Sequence, residues 1–202
     1  MKDRDTNQGK LILITGGASS GKSEYAESLA VSMNTEPKAQ TLWYLATMHP
    51  DPEDPETVRR IEKHRKAREG KGFRTVEQER DLIMITDRFR KGDIILMEDL
   101  PNLLANEMFS PALTEDSEGT LILQSRAALY AFLERKILHP LSQWTENGIR
   151  ILVVGSRISE DLPAVEESVA AYSDGLMFLQ RELGKMASAV TEVVCGIPLC
   201  CK

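Results

Sequence analysis

Gly16-Gly17-Ala18-Ser19-Ser20-Gly21-Lys22-Ser23 fits the spacing G-x-x-x-x-G-K-[ST] in full. That spacing serves one kind of chemistry, the holding of a polyphosphate. Glycines let a loop curl until successive backbone N–H groups point inward at phosphate oxygens. The helix that starts near Gly21 aims its positive end at the same point. Lys22 reaches the outer phosphates, and the Ser23 hydroxyl can ligate Mg2+. The loop works only between a strand and a helix, and both are legible here. Lys10 to Thr15 is a short apolar run stopped by Gly16-Gly17, and Tyr25, Ala26, Leu29, Ala30 and Met33 recur at helical spacing over Lys22 to Met33. The chain is expected to bind a nucleoside triphosphate.

Two acids supply the second half of such a site. Glu98 and Asp99 follow the strand-like run Ile94 to Met97, and strand ends in an open parallel sheet face the ligand crevice. Either can be the acidic contact to Mg2+ or its waters. A helix N-terminal cap is the competing role for both.

The densest positive charge is Arg59-Arg60-Ile61-Glu62-Lys63-His64-Arg65-Lys66-Ala67-Arg68. Polyphosphate and side chains would meet there. Cations around an imidazole favour its neutral form, which keeps the free lone pair a nucleophile needs. A solvated charged helix face with an incidental histidine is the bland reading of the same residues. His49 and His139 each sit beside a proline and lack such surroundings.

The elements that must position these groups alternate between strand and helix. Thr41 to Thr47 reads as a second strand, and Met48 to Pro55, with three prolines, as a loop. A helix is expected over Glu56 to Arg68, ended by Gly70 and Gly72. Ser110 to Gly119 reads as an exposed acidic loop, and Thr120 to Trp144 as a long helix. Asn147-Gly148 turns the chain into a strand over Ile149 to Val154. Pro163 to Ala187 reads as largely helical with a break near Gly175, and Thr191 to Cys195 and Pro198 to Cys201 as extended. Strands that are apolar throughout, alternating with helices, imply a mainly parallel sheet covered on both faces.

At 202 residues one domain is expected, residues 1–202, with 1–9 as a flexible N-terminal extension. Lys plus Arg number 25 against 31 Asp plus Glu, a formal charge of −6, which lacks the field of a nonspecific nucleic-acid binder. No run is long enough for a membrane span or a signal-peptide core. Cys195, Cys200 and Cys201 are crowded at one end, unlike a disulfide framework, and are expected to be reduced thiols in a cytoplasmic protein.

In their order along the chain these pieces resemble the adenosylcobinamide kinase / adenosylcobinamide-phosphate guanylyltransferase family of cobalamin biosynthesis. The resemblance runs from about Leu11 to the C-terminus. It rests on the loop Gly16 to Ser23, on Tyr44-Leu45-Ala46-Thr47, and on Glu56, Arg60, Ile61 and His64 in the pattern Glu-x-x-x-Arg-Ile-x-x-His. Phe73-Arg74-Thr75-Val76-Glu77, the stretch Glu98 to Asn106 and Cys195-Gly196-Ile197-Pro198-Leu199 continue it. The fold implied is an α/β P-loop NTPase-type (RecA-like) three-layer sandwich with a mainly parallel sheet.

The activity implied is guanylyl transfer. The histidine matching His64 attacks the α-phosphate of GTP, pyrophosphate leaves, and GMP passes to adenosylcobinamide phosphate. An earlier step phosphorylates the cobinamide hydroxyl from ATP or GTP. His64 and Lys22 would then be catalytic, and Gly16 to Ser23, Thr47, Arg60, Glu77 and Glu98 would contact the nucleotide. Ser23, Glu98 and Asp99 would be the metal candidates. A homo-oligomer is implied, commonly a trimer in this family, with a corrinoid small molecule as the other partner.

Two departures fall in the C-terminal half. Gly155-Ser156-Arg157-Ile158 stands where the family usually has Asn-Glu-Val-Gly, and Leu179-Gln180 where it has Asn-Gln. They weigh against the kinase step before the guanylyl transfer, whose nucleophile is present. A P-loop kinase of another pathway, or a GTP-binding regulatory protein without turnover, would share the phosphate loop but not the need for His64.

Overall fold

Seven strands form one sheet: β1 (Leu11–Gly16), β2 (Leu42–Ala46), β3 (Arg74–Glu77), β4 (Ile94–Glu98), β5 (Arg150–Val154), β6 (Ala189–Val194) and β7 (Ile197–Cys200). Their spatial order is β3-β2-β4-β5-β1-β6-β7. Every pairing is parallel except the hairpin β6–β7. The structure, a computed structural model, describes residues 9–34, 40–49, 54–110, 122, 124–156 and 166–202, and leaves the side chains of 56, 57, 60, 63 and 67 outside that description.

The helices are α1 (Lys22–Met33), α2 (Pro55–Arg68), α3 (Leu100–Met108), α4 (Arg126–Leu133), α5 (His139–Glu146) and α6 (Glu167–Met186). A 3-10 turn covers Leu82–Arg88, and a π turn, Glu134–Leu138, joins α4 to α5. Alternation along the central strands sorts the core into two layers. Ile95 and Met97 of β4 pack with Leu103, Leu133, Trp144 and Leu179 on one face, while Ile94 and Leu96 pack with Ala26 and Ala30 of α1 on the other. Each such fully buried aliphatic side chain is worth roughly 1.5–3 kcal/mol relative to exposure. With helices over both faces, the chain has the three-layer, mostly parallel architecture expected of it.

Several elements differ from the sequence expectations. The helix expected over Thr120 to Trp144 runs as α4, π turn and α5, from Arg126 to Glu146, with the Ser125 side chain capping its start; residues 111–121 and 123 lie outside the described residues. No break occurs at Gly175, which is buried inside α6. A Cβ there would meet Leu133 Cδ1 at 3.2 Å, so the glycine serves close helix packing. Pro163 and the expected loop Ser110 to Gly119 fall, apart from Ser110, outside the described residues. Pro55 opens α2 instead of closing a loop, as a proline can at the first helical position. The strand β3, the 3-10 turn and α3 are additional elements. No helix among the described residues is long and apolar enough to cross a membrane.

Register fixes the working edge. Ala46 pairs with Glu98, Glu98 with Val154, and Val154 with Ile14, so the C-terminal ends of β2, β4, β5 and β1 finish level. The phosphate loop, Thr47 and the Glu98-Asp99 pair all leave the sheet at that edge, where α/β folds place ligands.

Candidate active site

The loop from β1 to α1 is shaped by close backbone contacts at Gly16 and Gly21. A Cβ at Gly16 would sit 2.5 Å from the Val193 carbonyl oxygen. Gly21 caps α1 at φ 89°, a conformation L-residues rarely adopt, and a Cβ there would lie 3.3 Å from Gly196 Cα. The Gly196 N–H donates to the Ser20 carbonyl at 2.8 Å, so the β6–β7 turn buttresses the loop from behind. The Ser20 hydroxyl is buried with no partner, and Lys22 Nζ rests on the Gly17 carbonyl at 3.2 Å. An orphaned hydroxyl and a lysine parked on its own loop are groups that a bound phosphate would engage. Ala18 and Ser19 form the exposed rim, Ser19 at φ 55°.

Glu98 is the hub. It ends β4 almost fully buried. Ser23 Oγ donates to its Oε1, Tyr44 Oη donates to Oε2 at 3.0 Å, and His64 Nδ1 stands 3.8 Å from that same Oε2. Burial, and then the Glu98 charge, push the Tyr44 phenol far above its ordinary range, so it serves as a neutral donor. Hydroxyl and carboxylate oxygens are the donor set that Mg2+ takes, and Ser23 and Glu98 present them face to face.

Asp99 has a different setting. Its Oδ1 accepts the Asn102 N–H at 2.9 Å as the N-cap of α3, and its carbonyl accepts Thr47 Oγ1 at 2.8 Å. Thr47 is fully buried, and Asn106 Nδ2 holds its carbonyl at 2.7 Å. Thr47 therefore braces the strand end.

His64 lies on α2, over a cavity of about 280 Å³ bounded by Tyr44, Met48, Ile61, Arg68, Thr75 and Glu77 among others. Among the described side chains, the charge that faces the ring is the Glu98 carboxylate. Arg65 turns away to Glu77 at 2.9 Å, and the Arg68 guanidinium stacks 3.3 Å above the Tyr44 ring centroid. The buried Arg68 Nη1 has no hydrogen-bond partner in the cavity wall. Arg60 is on the same helix, with its side chain outside the described residues.

The structure thus brings Gly16 to Ser23, Glu98 and His64 together, sets Glu77 across the cavity, and puts Asp99 and Thr47 in supporting contacts. Tyr44 and Glu27 join the site without having been singled out from sequence, Arg68 of the basic run lines its cavity, and Lys71 stands behind it on Glu27. Glu27 had a signal: it follows Ser23 by one helical turn and shares its face. At the C-terminal departures, Gln180 Nε2 donates to the Ser156 carbonyl at 2.6 Å, while Arg157 and Ile158 lie outside the described residues. The three cysteines are free and exposed on the β6–β7 hairpin and just beyond it.

A family model described as cobinamide kinase / cobinamide phosphate guanyltransferase matches residues 12–201. No curated protein matches the chain.

Proposed function

We propose, from the premise that this chain belongs to the cobinamide kinase / cobinamide phosphate guanyltransferase family of cobalamin biosynthesis, that it transfers GMP from GTP to adenosylcobinamide phosphate through a guanylyl-His64 intermediate. One observation carries this reading: the Glu98 carboxylate touches the phosphate loop through Ser23 and faces the His64 ring.

The Gly16–Ser23 backbone and Lys22 hold the β- and γ-phosphates of GTP. Ser23 and Glu98 are the residues that would hold Mg2+, which would supply charge neutralisation to the phosphates. The nucleoside end would extend toward the α2 cavity, which Glu77 lines, with Thr47 bracing the floor and Arg60 as a further candidate contact from the family pattern. A carboxylate beside Nδ1 keeps the ring proton there and leaves the lone pair on Nε2. Nε2 attacks the α-phosphorus; the N–P bond forms, the Pα–O bond to the β-phosphate breaks, and pyrophosphate carries off the electron pair. A phosphate oxygen of adenosylcobinamide phosphate then attacks the same phosphorus. The P–N bond breaks, adenosylcobinamide-GDP leaves, and the imidazole is restored. Splitting the transfer in this way lets one good nucleophile serve both halves.

The same loop would support phosphoryl transfer from ATP or GTP to the cobinamide hydroxyl. At the β5 end, Gly155 and Ser156 supply no acid for that step. The corrinoid acceptor, a homo-oligomeric and commonly trimeric assembly, and a cytoplasmic setting follow the family. Exchange of labelled pyrophosphate into GTP without any corrinoid tests the two-step scheme, since a direct transfer to the acceptor gives none.

A further inference from the structure

The helix that carries the proposed nucleophile has little apolar anchoring. Among the described residues no strand or other helix packs extensively on α2, and Val58 and Ile61 are only half-buried at the cavity. Its position beside the phosphate loop comes from polar contacts and from Arg68, stacked 3.3 Å above the Tyr44 ring centroid at the end of α2. The Arg65–Glu77 pair is exposed on both sides, where an ion pair contributes little. A stronger tie sits just past the end of α2, where Lys71 Nζ reaches Glu27 Oε2 at 2.6 Å. The Glu27 side chain is 3% exposed, on α1, one turn beyond Ser23. Oxygens of Glu27 and Glu98 and a ring nitrogen of His64 all lie within 4.8 Å of one another.

We propose that Glu27 and Lys71 are positioning residues: a latch from α1 to the segment after α2 that holds His64 over the phosphate loop. This rests on the guanylyl-transfer reading for its consequence, though the latch itself is a matter of packing and charge. Glu27 is buried close to a second carboxylate, so without a cation the two would repel each other. Lys71 satisfies that charge and at the same time ties down the chain that follows α2. Releasing the latch leaves the Gly16–Ser23 loop intact and lets the nucleophile drift, and misplacement by about 1 Å costs on the order of 100-fold in rate.

The test compares Lys71→Met and Lys71→Arg in the full chain. Single-turnover formation of the His64 adduct from α-labelled GTP is measured beside GTP affinity by calorimetry, and amide exchange is followed over residues 55–68. The latch predicts that Lys71→Met slows adduct formation about 10- to 100-fold, leaves GTP affinity within about threefold, and speeds exchange over α2. Lys71→Arg, which keeps the cation, should recover most of the rate and the protection. Unchanged adduct formation and unchanged exchange in Lys71→Met would overturn the latch, as would parallel loss of affinity and rate. A wild-type protein without adduct would overturn the guanylyl transfer, and the exchange comparison would still decide the latch by itself.

Discussion

Nδ1 of His64 stands 3.8 Å from Oε2 of Glu98, the carboxylate whose other oxygen accepts the Ser23 hydroxyl. One side chain thereby serves two halves of a site, the phosphate loop on α1 and the basic helix α2. The two halves are separate in sequence, and Glu98 and the Glu27–Lys71 pair bring them to short range. Under the proposed mechanism the carboxylate would hold the ring proton on Nδ1 and leave Nε2 for attack on phosphorus.

Glu98 and Asp99 are neighbours with separable duties. Glu98→Gln keeps the size and one acceptor but removes the charge shared by Ser23, Tyr44 and His64. Adduct formation should fall by about 100-fold or more, with a raised Mg2+ requirement. Asp99→Ala removes the α3 cap and should cost about 1 kcal/mol of stability while leaving the Mg2+ requirement alone. Mg2+ titrations of GTP turnover in both variants check this; equal shifts would mean that both acids serve the metal.

Gly21→Ala places a methyl 3.3 Å from Gly196 Cα at a positive φ. The backbone conformation alone costs roughly 1–2 kcal/mol. The distorted loop should lose nucleotide binding far out of proportion to that. Calorimetry with GTP and a urea melt on the same variant measure the two losses. Retained affinity would show that the loop tolerates a side chain there.

Glu107 offers a stability test away from the chemistry. Burial, partly offset by the Asp81 N–H and by Lys136, raises its carboxyl above the ordinary 4.5. A folded state that holds the proton more tightly than the unfolded chain is favoured most below that ordinary value, and the advantage is lost as pH rises through the folded value. The urea midpoint should therefore carry a component that falls as pH rises above the ordinary 4.5 and through the raised folded value, and that Glu107→Gln removes. An unchanged pH slope in the variant would contradict the assignment.

The phosphate loop could be read from sequence because its chemistry is local: the glycines, Lys22 and Ser23 act through their own backbone neighbourhood. The apolar strands β1, β4 and β5 were equally legible. Strand β3 was not, since only Val76 of its four residues is buried, and an edge strand carries little pattern. Helix α3 was hidden by Pro101, which reads as a breaker although it sits in the first turn behind the Asp99 cap. The surroundings of His64 were the least legible. Sequence puts cations beside it; among the described side chains, Arg65 turns toward Glu77, Arg68 stacks on Tyr44, and a carboxylate from a distant strand faces the ring.

Incubation with GTP labelled at the α-phosphate, followed by proteolysis and mapping of the labelled peptide, bears most directly on the proposed chemistry. The expected result is an adduct on His64 that is lost in acid, survives base, requires Mg2+ and is absent from His64→Asn. Transfer of the label to adenosylcobinamide phosphate should discharge it. Corrinoid-dependent turnover that persists in His64→Asn, with no covalent label in the wild type, would contradict a histidine nucleophile.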